Sequence, residues 1–138
     1  MSEIKLGIIG GGQLGSMLSN AAQQLNVKTV IYCDDLDAPA KNFCDEFICG
    51  KYDEKEKINE FIEKVDVATY EFENIPFETL NEINKTKPVL PKPSINRLIQ
   101  HRLAEKDFVN KLNIRTTQYA SVDKKSDLDS LKDLLPGI

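Results

Sequence analysis

The chain has 138 residues, 41% hydrophobic and 29% charged, an ordinary balance for one globular domain long enough to bury its own core. Lys and Arg number 18 against 22 Asp and Glu, a net charge of −4. A mildly acidic chain lacks the basic footprint that nucleic acid or an anionic membrane requires, so neither is expected as a partner.

The N-terminus runs Met-Ser-Glu-Ile-Lys into an apolar segment, with no long hydrophobic leader, and Leu6 to Ile9 is far too short to span a bilayer. A cytoplasmic protein is expected. Ile4 to Ile9 has the apolar run of a buried parallel strand. After a cluster of glycines, Leu14, Met17, Leu18, Ala21, Ala22 and Leu25 follow the spacing of an amphipathic helix, with Asn26 as its stop. Lys28 to Cys33 (KTVIYC) predicts a second strand. The β-turn-α-β order, with glycines at the first junction, is half of a doubly wound α/β domain with a parallel sheet.

Asp37-Ala38-Pro39-Ala40 predicts a turn that opens a short helix, and Glu46 to Cys49 (EFIC) a short strand. Ile58, Phe61, Ile62 and Val65 mark a helix, Val65 to Phe72 (VDVATYEF) a further strand, and Pro76 the start of a helix with Phe77, Leu80 and Ile83 on its apolar face. Val89-Leu90 reads as a last edge strand. Pro91-Lys92-Pro93-Ser94 marks a linker, which sets the expected domains at 1–92 and 93–138. Beyond it, Ile95 to Leu112 is helical in pattern but out of phase near His101, Thr116 to Val122 (TTQYASV) reads as a strand, and Lys125 to Leu135 as a helix. Cys33, Cys44 and Cys49 include no Cys-x-x-Cys pair and His101 is the sole histidine, so reduced thiols and no metal site are expected.

Gly10-x-Gly12-x-x-Gly15 lies between a strand and a helix. Glycine allows the tight turn and removes the Cβ that would hold a ligand away, while the helix start offers free N–H groups and a positive dipole end to a phosphate. Asp34 stands near the place of the acidic residue that holds a ribose hydroxyl about 20 positions on in dinucleotide sites. One reading is therefore the NAD-binding domain of an oxidoreductase, although no hydride-transfer constellation accompanies it. Tyr70-Glu71-Phe72-Glu73 alternates, which predicts Glu71 and Glu73 on one strand face at the ligand-binding edge of a parallel sheet. Two carboxylates so placed call for an amine or hydroxyl donors between them, which a dinucleotide domain does not need.

GIIGGGQLGSM (Gly7 to Met17), the Asp37 to Ala40 turn, TYEFENIP (Thr69 to Pro76) and HRLAEKDFVNKLNI (His101 to Ile114) occur in that order. Together they resemble the N-terminal part of the 5-(carboxyamino)imidazole ribonucleotide synthase family, over essentially the whole chain. The resemblance implies a Rossmann-like (preATP-grasp) domain followed by the first elements of an ATP-grasp domain. It implies an ATP-dependent ligase of purine biosynthesis that joins bicarbonate to the amino group of 5-aminoimidazole ribonucleotide, using ATP and Mg, and commonly forms a homodimer. By resemblance the glycine turn, with Gly10 and Gly12, faces the ribonucleotide rather than a dinucleotide. Gln13, Leu14 and Glu71 become substrate contacts, Glu73 a weaker one, and Arg102 an ATP contact, with Lys106 one turn further on.

Three residues depart from the family pattern: Ser16 in place of Arg or Lys, His101 in place of an acid or amide, and Thr116 where proline is common. For His101 a structural role is expected. Gln13 and the YEFEN run argue against a biotin carboxylase or a glycinamide ribonucleotide transformylase. The family's ATP-binding lysine, glycine-rich flap and acidic magnesium ligands have no counterpart here. Phosphoryl transfer needs such cations, so the expectation is a fragment that is inactive alone, with exposed apolar surface after Pro93, or else a non-catalytic ligand-binding module.

Overall fold

Four parallel strands frame the computed structural model, which describes residues 4–134. β1 (Lys5–Ile9), β2 (Lys28–Cys33), β3 (Glu46–Cys49) and β4 (Val67–Tyr70) lie in the order β3-β2-β1-β4. Ile8 is level with Ile31 on one side and Thr69 on the other. Val89 adds an isolated parallel bridge to Ala68 beyond β4, where the sequence predicts an edge strand.

Strand alternation divides the core between two faces. Ile9, Val30, Tyr32 and Ala68 pack with Phe61 and Ile62 of α2 (Lys55–Lys64) and with Leu80 and Ile83 of α3 (Phe77–Asn84). Ile8, Ile31 and Cys33 point the other way and meet Ala38 and Ala40. On that second face lies α1 (Gln13–Gln24), whose Ser19 Oγ is 2.6 Å from Thr29 Oγ1 of β2 and donates to the Phe43 carbonyl at 2.8 Å. Helices on both sides of a parallel sheet make this the α/β fold expected from the β-turn-α-β order.

The predicted apolar stripe of α1 does not form its buried face. Leu14, Met17, Leu18, Ala21 and Leu25 are exposed, and the buried residues are Gly15, Ser19 and Ala22. The small residues share the same helical period, and they let the helix axis approach the sheet: a Cβ on Gly15 would lie 2.7 Å from the Gly10 carbonyl oxygen. Asn26 does stop the helix. It takes a left-handed φ of 57°, while the N–H groups of Asn26 and Val27 return to the carbonyls of Gln23 and Ala22.

Packing divides the chain into two units, Met1–Arg97 and Leu98–Ile138. α4 (Pro93–Ile99) starts within the first unit: the Asn96 side chain is fully buried and its Nδ2 donates to the Ile75 carbonyl at 3.0 Å. In the second unit, α5 (Arg102–Lys111) is capped by His101, whose Nδ1 accepts from the Ala104 N–H, a structural role of the kind expected for this residue. No α5 residue is buried, and Phe108, Leu112 and Ile114 are exposed, as the expected apolar surface after Pro93 requires.

Two expectations fail in this unit. Thr116 to Val122 is not a strand, because among the described residues no strand lies beside it to complete a ladder; instead, Asn110 Nδ2 and Lys106 Nζ reach Thr116 Oγ1 and Thr117 Oγ1, each at 3.0 Å. Lys125–Leu134 is a 3-10 helix rather than an α-helix, and Leu135 lies outside the described residues.

Candidate functional site

Strand order reverses beside β1, and the loops that leave the C-terminal ends of β1 and β4 flank that reversal, where open α/β sheets bind ligands. The Gly10 to Gly12 turn leaves β1 there. Its Gly10 N–H donates to the Tyr32 carbonyl at 2.8 Å, so the backbone is still tied to the sheet as it turns. Gly10 then takes φ +110°, a conformation that favours glycine.

The loop after β4 supplies Glu71. Its own N–H donates to the Ile9 carbonyl at 3.0 Å, which continues the parallel ladder one residue past the strand. The chain then bends, and the Glu71 side chain turns back over the glycine turn. Oε1 accepts from the Gly12 N–H at 2.8 Å, and Oε2 accepts from the Gly15 N–H. A carboxylate so placed satisfies two of the N–H groups that a helix start leaves without intrahelical partners, and it lies at the positive end of the α1 dipole.

This geometry corrects the expectation that Glu71 and Glu73 share a strand face. β4 ends at Tyr70, and the residues after it form a bend and a turn. Glu71 is half-buried against the glycines, whereas Glu73 is exposed two residues further along the turn. The alternation in the sequence is real, but the backbone leaves the extended conformation before it can place both carboxylates together.

Gln13 and Leu14 open α1 beside Gly12, and both are exposed, Leu14 at 55%. Of the predicted residues, the structure therefore brings Gly10, Gly12, Gln13, Leu14 and Glu71 to one sheet edge. Ser16 Oγ returns to the Gly12 carbonyl at 3.1 Å. The Asp37 to Ala40 turn locks the middle glycine: the Ala40 N–H donates to the Gly11 carbonyl at 3.0 Å, and a Cβ on Gly11 would lie 2.7 Å from Ala38 Cβ and 2.8 Å from Cys33 Sγ.

Asp34 is exposed at the end of β2, next to the buried Cys33, whose thiol burial pushes up. Tyr52 was not singled out by sequence, since a lone tyrosine in the polar run KYDEK carries no periodic signal. Burial first, and then the neighbouring Cys33, Asp34 and Glu71, push its hydroxyl well above the usual tyrosine range. An open apolar depression between α2 and α3, lined by Tyr52, Ile58, Pro76 and Thr79 among others, holds none of the predicted residues.

In the second unit, Arg102 is 79% exposed in its side chain and pairs with Glu105 at 2.7 Å. Lys106 lies one helical turn on, over the Tyr119 ring at 5.3 Å. These contacts lie within the second unit, and the structure assigns them no ligand.

Residues 3–100 match the family model described as the ribonucleotide synthetase preATP-grasp domain. The bifunctional purine synthesis protein purC/E of Dictyostelium discoideum is 41% identical over 125 residues, which cover 91% of this chain and 12% of that protein. The N5-carboxyaminoimidazole ribonucleotide synthase of Brucella melitensis is 36% identical over 132 residues, covering 96% of this chain and 36% of its own length. The crystal structure of the Aspergillus clavatus N5-carboxyaminoimidazole synthase in complex with ADP and 5-aminoimidazole ribonucleotide superposes with a TM-score of 0.80 at 27% identity, covering 98% of this chain and 37% of that one. The chain thus spans little more than a third of the length of the longest-matched of these relatives. With the glycine turn, the Asp37 to Ala40 turn and Glu71 converging on one sheet edge, and with the family model matching most of the residues that build it, the chain belongs to the ribonucleotide synthetase preATP-grasp domain family.

Proposed function

We propose that this chain supplies the ribonucleotide-facing part of an ATP-dependent carbon-nitrogen ligase. The reaction joins bicarbonate to the amino group of 5-aminoimidazole ribonucleotide, giving 5-carboxyaminoimidazole ribonucleotide for purine biosynthesis. The observation that carries this reading is the convergence of three separate sequence motifs on the C-terminal edge of the sheet. Gln13 and Leu14, exposed on the first turn of α1, meet the ribonucleotide together with Gly10 and Gly12. Glu71 keeps lone pairs beyond the two that its backbone partners use, so it can still accept from a substrate donor, and Glu73 sits at the rim.

Residues 1–92 form the substrate domain in this reading, and 93–138 begin the ATP-grasp region, where Arg102 contacts ATP. Among the described residues, no three His, Cys, Asp or Glu side chains stand together as a metal site. The magnesium of such a reaction is assigned to no residue of this chain, and no step is routed through it. Likewise among the described residues, no helix is long and apolar enough to cross a membrane. The working partners are small molecules and, in the complete ligase, a second copy in a homodimer located in the cytoplasm.

The test is a chimera in which this chain replaces the matching N-terminal third of the Brucella relative. It should form ADP in a manner that depends on both bicarbonate and 5-aminoimidazole ribonucleotide. Gln13→Ala should raise the KM for the ribonucleotide about tenfold with little change in kcat, the signature of a lost binding hydrogen bond. A folded chimera whose ADP formation ignores the ribonucleotide would overturn the reading.

A further inference from the structure

A G-x-G-x-x-G turn ordinarily owes its glycines to a ligand phosphate. Here Gly10 and Gly12 answer first to a side chain of the same protein, and Gly15 to that side chain after the Gly10 carbonyl. A Cβ on Gly10 would run into Glu71 Cγ, with Glu71 Cδ and Oε1 both at 2.9 Å; one on Gly12 would lie 2.8 Å from Glu71 Oε1; and one on Gly15 would lie 3.2 Å from Glu71 Oε2. The N–H groups of Gly12 and Gly15, two of those that a helix start offers to an anion, already donate to the two Glu71 oxygens.

We propose that Glu71 is a built-in anion: it fills the phosphate position of the glycine turn, fixes the turn in the shape that faces the ribonucleotide, and bars a diphosphate from it. The facing of the turn toward a ribonucleotide rests on the function proposed above; the barring of diphosphate does not. Two effects exclude the second anion. No N–H of Gly12 or Gly15 remains for it, and its charge would lie against that of the carboxylate, in a half-buried place where repulsion is weakly screened. The same strand-glycine-helix frame that serves dinucleotides elsewhere is thereby closed to them by one residue that follows β4. Beyond the substrate contact proposed above, Glu71 thus sets the specificity of the site by holding the turn.

The experiment follows the backbone amide signals of Gly12 and Gly15 in the full 138-residue chain by NMR, with inorganic diphosphate as the probe. In the wild-type chain both amides should exchange with solvent as slowly as those inside α1, although they lie at a helix start, and diphosphate should not move them. In Glu71→Ala both signals should shift on addition of diphosphate, with binding at least about tenfold tighter than in the wild type, as expected for an anion gaining two freed N–H groups and a helix dipole. Glu71→Gln, which removes the charge and one acceptor, should show a smaller gain. Fast exchange at Gly12 and Gly15 in the wild type, diphosphate shifts there with Glu71 intact, or a folded Glu71→Ala that gains no diphosphate binding would each overturn the proposal. If Glu71→Ala does not fold, the wild-type exchange and titration decide. Failure of the wild type to bind 5-aminoimidazole ribonucleotide would remove the ribonucleotide reading while leaving the diphosphate result standing.

Discussion

Gly10→Ala is expected to destabilise the first unit by about 3 kcal/mol, read as a lower urea midpoint with an unchanged slope. Two costs combine. A residue with a side chain is strained at φ +110°, and the new methyl would occupy the space of the Glu71 Cγ. Glu71 could make room only by giving up its hydrogen bonds to Gly12 and Gly15. The double variant Gly10→Ala with Glu71→Ala separates the two costs. Its destabilisation should fall short of the sum of the single variants by about 1 kcal/mol or more, because the steric part disappears with the side chain while the backbone part stays. Strict additivity would mean that the two residues do not press on each other.

Phe61→Ala should cost about 3 to 5 kcal/mol, the range for removing a large buried aromatic and leaving a cavity. Phe61 is completely buried in α2, its ring centroid is 5.7 Å from that of Tyr32 in an edge-on arrangement, and it fills the space that a Cβ on Gly7 would need. It therefore joins α2 to β1 and β2 at the centre of the larger core. The loss should appear in thermal or urea unfolding, and the molecules that remain folded should bind ligand at the turn unchanged, since Phe61 lies on the face opposite α1. Gly10→Ala should weaken binding as well as folding, and this contrast separates a core residue from a site residue.

The strands and the glycine turn were legible because short apolar runs bounded by glycine carry their meaning locally. KTVIYC could be read without knowledge of its neighbours, and so could the stop at Asn26. What failed was whatever depends on a partner. The leucines of α1 have the right period, but the sheet accepts the face of Gly15, Ser19 and Ala22, and only the three-dimensional approach decides between two stripes of equal period. Glu71 and Glu73 alternate as strand residues do, yet the bend after Tyr70 sends one back to the glycines and leaves the other exposed. Thr116 to Val122 has strand composition without a strand beside it among the described residues. The link between Glu71 and the glycines spans 56 to 59 residues of sequence, so no local pattern could announce it.

Whether the glycine turn faces a ribonucleotide is decided by a pair of titrations of the chain, one with 5-aminoimidazole ribonucleotide and one with NADH, followed at the backbone signals of Gly12, Gln13, Leu14 and Glu73. The ribonucleotide should shift these signals in a saturable way, and NADH should leave them in place. Saturable shifts with NADH and none with the ribonucleotide would contradict the ribonucleotide reading.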